Sequence, residues 1–402
     1  MLGCAVRLAL TQAQKPRKAP TLKTRLFTPG PVEIPARLLA ALARPAIHHR
    51  TEGFRAILSE ATKGMIELFG TEGTVVTLGA SGSGGMEAAV VNLVEPGTRP
   101  LVVEAGKFGE RWAKILKAYG VEPEVLTYEW GKVADPADVD SALAKNKAKV
   151  VFFTHSETST GALHDAKAIA QVAKKHGALA VADVVTSLGV HDVRMDAMGI
   201  DVAVSGSQKG MMLPPGLAFV ALGPQGLLAL EAGPRLPRFY FDLRKAAASA
   251  LDGETPFTPP TALIVGLLEA LAMMREEGRE QVVARHAANA NATRAGAQAL
   301  GLALFAQIPS NAVTAITSPQ GIDAGKIVKA MRERHGMVIA NGQDKLKGVS
   351  FRIGHMGAYD EADILAVTGA LEDALAVSGY DVDEGAGVAA AQKAFRRAKV
   401  PA

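Results

Sequence analysis

Between residues 72 and 223 the chain alternates short apolar runs with longer segments of helical period. Seven runs read as strands: "TVVTL" (74–78), "PLVVEA" (100–105), "EPEVLTY" (122–128), "KVVFFTH" (149–155), "ALAVADVV" (178–185), "DVAVSGS" (201–207) and "LAFVALG" (217–223). Most show no polar alternation, which marks strands covered on both faces. Between them "FGERWAKILKAYG" (108–120) and "DAKAIAQVAKKHG" (165–177) carry helical patterns; the second opens on Asp165, a good N-cap, and closes on Lys-Lys-His-Gly. This alternation predicts a doubly wound α/β layer structure with a mostly parallel central sheet.

After about residue 260 the texture changes. Long helical patterns cover 261–278 and 279–301, followed by "NAVTAIT" (311–317), a helix over 323–336, the strands "MVIA" and "VSFRIG", and a last helix over 361–379. A length of 402 residues suits more than one core. The expected organisation is an N-terminal arm (1–25), a large domain (26–280), a smaller C-terminal α+β domain (281–380) and a basic tail (381–402).

Charge placement bears on partners. Of 44 Lys and Arg, six lie in residues 1–25 and four in 385–402, both stretches free of acids, which leaves 34 basic against 40 acidic residues between them. A nucleic-acid enzyme concentrates its basic patch on the folded body, so no nucleic-acid partner is expected and the tails read as solvated arms or partner contacts. No apolar run reaches the roughly 18 residues that span a bilayer, so no membrane partner is expected either. The single cysteine, Cys4, forbids a disulfide within the chain and favours a reducing compartment, the cytoplasm. The acid-free start also has features of a signal, lipidation or transit segment.

Three stretches carry chemistry. "LGASGSGGMEAAVVN" (78–92) reads as a strand, a Gly/Ser loop and a helix, which makes either an anion site at a helix N-terminus or a tight turn. It is no Walker loop, and the dinucleotide fingerprint fails where Glu87 replaces the third glycine. Asp183 ends an apolar strand, where a carboxylate either lines the ligand crevice of an open sheet or caps a helix. Lys209 follows the next strand and is either a solvated loop lysine or a buried nucleophile of lowered pKa. Together, an amine for an aldehyde, an acid for a pyridinium nitrogen and a helix terminus for a phosphate describe pyridoxal phosphate. No metal site is expected.

"FTPGPVEIP" (27–35), "SGSGGMEAAVVN" (81–92), "HSETSTG" (155–161), "ADVVTSLG" (182–189), "SGSQKG" (205–210) and "FRIGHMG" (351–357) resemble class V aminotransferases of pyridoxal phosphate fold type I. Within that family the likeness is to the alanine–glyoxylate and serine–glyoxylate (or serine–pyruvate) enzymes, over residues 25–380. The resemblance implies that Lys209 carries the cofactor as a Schiff base and shuttles the substrate α-proton, while Asp183 pairs with the pyridinium nitrogen. It implies that Phe108 stacks on the ring, that Ser81, Gly82, Ser83 and Gln208 hold the phosphate, and that Thr158 lies near the ring hydroxyl. Arg352 matches the arginine that grips the substrate carboxylate. Thr258 matches a donor reaching the partner's phosphate in a homodimer whose active site lies at the subunit interface. Phe257 stands where relatives often have tyrosine, so that hydroxyl's bond to phosphate is missing. Gly30, His49 and Arg50 fall at the entrance, with Gly30 leaving room for a small substrate.

The activity implied is transfer of an amino group from alanine or serine to glyoxylate or pyruvate, by a ping-pong route through pyridoxamine phosphate. Alternatives on the same scaffold are a ureidoglycine or phosphonate aminotransferase, or a lyase; a cysteine desulfurase is disfavoured because Cys4 lies in the tail. A nucleotide-dependent oxidoreductase fails at Glu87. A further alternative is a subunit of a larger assembly that docks through its basic tails.

Overall fold

The computed structural model describes residues 22–232 and 235–398. A seven-stranded sheet runs in the order Thr74–Leu78, Ala218–Leu222, Val202–Gly206, Leu179–Asp183, Val150–Thr154, Leu101–Glu104, Glu124–Thr127. Every neighbouring pair is parallel except the two made by Ala218–Leu222, which lies antiparallel between Thr74–Leu78 and Val202–Gly206. Each of the seven apolar runs forms a strand of this sheet.

Alternate residues of one strand fall into two separate cores. Val151 and Phe153 pack on one face with Phe54, Met65 and Leu267; Val150 and Phe152 pack on the other with Met86, Val90 and Trp112. Burial on both faces explains why these runs are continuous rather than alternating. The two helices expected between strands form at Lys107–Ala118 and Ala166–Lys175, and Asp165 caps the latter by accepting from Ala168 N at 2.9 Å.

A third core belongs to the C-terminal part. Its sheet places Ser350–Gly354 between Val313–Thr317 and Ala340–Asn341, all antiparallel. The helices Thr261–Glu277 and Arg279–Ala299 are separated by Gly278, whose φ of 88° ends the first.

Three expectations need correction. "MVIA" is two short strands: Met337–Val338 pairs in parallel with Arg25–Leu26, while Ala340–Asn341 joins Ser350–Gly354. The end of the N-terminal arm is therefore part of the C-terminal unit, and Phe27 is buried in its core. The segment expected as a basic tail, either solvated or a partner contact, contains the helix Ala386–Ala398, which packs along Arg279–Ala299 and buries Ala391 and Phe395. Cys4 and most of the basic N-terminal arm lie outside the described residues. Among the described residues no helix is long and apolar enough to cross a membrane.

Candidate active site

Sheet geometry brings the three chemical stretches to one end of the strands. Thr74–Leu78 passes through a short turn to Ser81, the N-cap of helix Gly82–Leu93. The Ser81 side chain makes no capping bond, so the first turn keeps free donors. Two glycines let this helix sit directly on the sheet: a Cβ at Gly85 would lie 2.7 Å from Val204 Cγ1, and one at Gly82 would lie 2.9 Å from Val185 Cγ2.

Asp183 closes the strand Leu179–Asp183 and is 3% exposed. Its Oδ1 accepts from Val185 N at 2.8 Å. Burial pushes its carboxyl up to about 7; the nearby Glu157 charge adds to this, while Arg111 and Lys209 oppose it. Lys209 lies in the connection between the antiparallel neighbours Val202–Gly206 and Ala218–Leu222 and is 7% exposed. Its ammonium donates to the Pro29 carbonyl. Burial lowers it to about 8; Asp183 opposes that fall, and Arg352 and Arg111 deepen it. Gly30 holds φ 104°, and a Cβ there would come within 2.5 to 2.7 Å of Lys209 Cδ, Cε and Nζ. Glycine at 30 is what lets the lysine pass the Pro29 turn.

Phe108 opens helix Lys107–Ala118, whose start is held by a buried carboxylate: Glu157 Oε2 accepts from Phe108 N at 2.9 Å and Gly109 N at 3.1 Å, and Oε1 accepts from Ser159. One turn on, Arg111 donates from Nη1 to Ser83 Oγ at 2.8 Å, with its guanidinium 4.5 Å from the Phe108 ring centre.

These groups line one cavity of about 190 Å³: Gly30, Ser81, Gly82, Ser83, Phe108, Asp183, Gln208 and Lys209, joined by Met86, Arg111 and Val185. Sequence reading missed the last three, together with Glu157. Three expected residues stand outside it. Thr158 is buried and shares a 2.8 Å hydroxyl contact with Thr186. Arg352, buried in Ser350–Gly354, donates to the carbonyls of Thr158 and Asn341 at 3.0 and 2.8 Å. Thr258 is exposed, beside Phe257 stacked on Tyr240 at 4.9 Å. Of the two entrance residues, His49 is half-buried, and Arg50 is exposed and paired with Glu254.

The sequence profile of the family described as "Aminotransferase class-V" matches residues 33–356. The chain belongs to the class V aminotransferases. Membership makes it a pyridoxal-phosphate-dependent aminotransferase of fold type I, acting on amino acids and 2-oxo acids. Among its relatives, a protein named "Soluble hydrogenase 42 kDa subunit" from Anabaena cylindrica is 44% identical over 93% of this chain and 99% of its own. A "Serine--glyoxylate aminotransferase" from Methylorubrum extorquens is 36% identical over 93% and 96%. The crystal structure of an aspartate aminotransferase of subgroup IV from Thermus thermophilus superposes with a TM-score of 0.83 at 40% identity, over 88% of this chain and 99% of that one.

The cavity's donor set fits the cofactor. A buried amine and a buried carboxyl, each shifted toward its neutral form, share the cavity with an uncapped helix terminus and with Gln208. Among the described residues there is no cluster of three or more metal-ligating side chains.

Proposed function

We propose that this cleft transfers the amino group of alanine or serine to glyoxylate or pyruvate, with Lys209 as the catalytic amine, in a cytoplasmic homodimer. The observation that carries this reading is the burial of Lys209 and Asp183 together beside the Ser81–Ser83 helix terminus.

When bound, pyridoxal phosphate supplies an electron sink that makes the substrate α-proton acidic and its amino group transferable. Lys209 Nζ would hold the aldehyde, Asp183 the ring nitrogen, Phe108 a ring face, and Ser81, Gly82, Ser83 and Gln208 the phosphate. Burial keeps much of the Lys209 amine neutral near pH 8, the form that accepts a proton from carbon. Thr158 orients Arg352 through its carbonyl, and Arg352 offers the planar fork suited to an α-carboxylate. Asp183, ionised against a ring cation, would regain the partner that its burial demands.

A small neutral donor is supported by the charges at hand. Of the residues lining the cavity, the cations are Lys209, the catalytic amine, and Arg111, which reaches Ser83 in the helix terminus that would hold the phosphate. An aspartate donor needs a further free cation for its second carboxylate. Glyoxylate as acceptor is supported by the name of the Methylorubrum relative, a serine–glyoxylate aminotransferase. The homodimer is supported by an exposed aromatic group at Phe239 and Tyr240, packed around Phe257 next to Thr258. A compartment that keeps thiols reduced suits the single cysteine.

The test is the visible spectrum of the loaded protein with L-alanine, L-serine or L-aspartate, followed by glyoxylate. Bleaching by alanine or serine and recovery with glyoxylate supports the reading; bleaching by aspartate alone overturns the donor assignment. Steady-state rates at several fixed co-substrate levels should give parallel reciprocal lines, and converging lines contradict the ping-pong route.

A further inference from the structure

Arg111 is the one cation in the cavity to which the roles above give no chemical task. It stands three residues after Phe108 on the same helix, so both side chains project from one face. The Glu157 carboxylate, by taking the amides of Phe108 and Gly109, fixes the turn from which both project. Arg111 then spans to a second helix, where its Nη1 meets Ser83 Oγ in the first turn of Gly82–Leu93. Among the described residues it hydrogen-bonds this hydroxyl, packs on the Phe108 ring and forms no ion pair, and its charge is felt by Asp183 and Lys209 across the cavity.

A phosphate ester brings a charge of about −1.5 to −2. The helix terminus offers about half an elementary charge, and serine hydroxyls are neutral. Lys209 is spent once it holds the aldehyde. A buried dianion therefore lacks a full positive charge unless Arg111 provides one, and a guanidinium fork suits phosphate oxygens. We infer that Arg111 is the cationic ligand of the cofactor phosphate, closing with Ser83 on the same group from two different helices. This rests on the reading of the cavity as the cofactor site.

The experiment separates phosphate from ring. Apo-protein is titrated with pyridoxal phosphate and with unphosphorylated pyridoxal, and binding is read from the absorbance band. Arg111→Gln should raise the Kd for pyridoxal phosphate about 10- to 100-fold and leave that for pyridoxal within about twofold. Arg111→Lys, which keeps the charge but loses the fork, should fall between that variant and wild type. A wild-type Kd for pyridoxal phosphate in Arg111→Gln overturns the inference. So does an equal loss for both aldehydes, which would mean that Arg111 acts through Phe108. An unchanged cofactor Kd with weakened bleaching by L-aspartate would also overturn it and assign Arg111 to a substrate carboxylate. Should circular dichroism show Arg111→Gln unfolded, Arg111→Lys decides: a reduced preference for the phosphorylated aldehyde supports the inference, and an unchanged preference overturns it. Wild-type protein that binds neither aldehyde refutes the cofactor-site reading itself, whereas normal wild-type loading with an unaffected variant refutes this inference alone.

Discussion

Asp183 and Lys209 are perturbed in opposite directions by one cause, the removal of water from the cleft floor. Each shift has a measurable sign. The Asp183 carboxyl, at about 7 in the fold against 3.8 when solvated, binds its proton more tightly in the native apo-protein. Apo stability contributed by this group is present at low pH and is lost as pH rises from about 4 to 7. Asp183→Asn should remove that slope, as urea midpoints across this range would show; an unchanged slope would place its cause elsewhere. Lys209 attacks an aldehyde only as the free amine. Cofactor loading should therefore accelerate as pH passes about 8, well below the 10.5 of a solvated lysine, in stopped-flow absorbance. Lys209, Asp183 and the Ser81–Ser83 loop were legible in sequence because each sits where an apolar strand ends, and sheet topology sends such ends to one place. Arg111 and Glu157 were not. An arginine inside an amphipathic helix reads as solvated, and only the crossing of two helices puts it against Ser83. Thr158 and Arg352 were named from the resemblance, and the structure links them to each other by a hydrogen bond outside the cavity lining.

Elements explain which expectations held. The sheet strands were readable because burial on both faces leaves continuous apolar runs. The C-terminal helix was not, because an Ala- and Gly-rich composition resembles a linker. The signal lay in spacing: Gly387, Ala391 and Phe395 are four residues apart and all are buried. Gly387 also lies close under Gly296 of the long helix, where a Cβ would come 3.2 Å from the Gly387 carbonyl. Phe395, 4% exposed, anchors this contact. Phe395→Ala should cost about 3–5 kcal/mol in denaturant unfolding. A change within about 0.5 kcal/mol, typical of surface positions, would mean that the helix is a docked appendage.

At the scale of the whole molecule, two structural units meet through the N-terminal segment. Arg25–Leu26 pairs with the C-terminal unit, and a few residues later Pro29 and Gly30 touch Lys209. The same chain segment thus connects the smaller core to the cleft floor. The exposed aromatic group is the other whole-molecule feature: Phe239 is 77% exposed and packs on Phe257 at 5.6 Å. Light scattering should report a dimer for the wild type, and Phe239→Glu should shift it toward monomer with weaker cofactor retention. A monomeric wild type that binds the cofactor normally would contradict an active site shared between subunits.

One buried lysine, Lys209, is the residue proposed to carry the cofactor. Borohydride reduction of the loaded protein, followed by peptide mapping, tests it most directly, because reduction makes the lysine–aldehyde link permanent. The phosphopyridoxyl mass should appear on the peptide that contains Lys209 and be lost in Lys209→Ala. The label on another lysine, or no label on a yellow protein, would contradict this assignment.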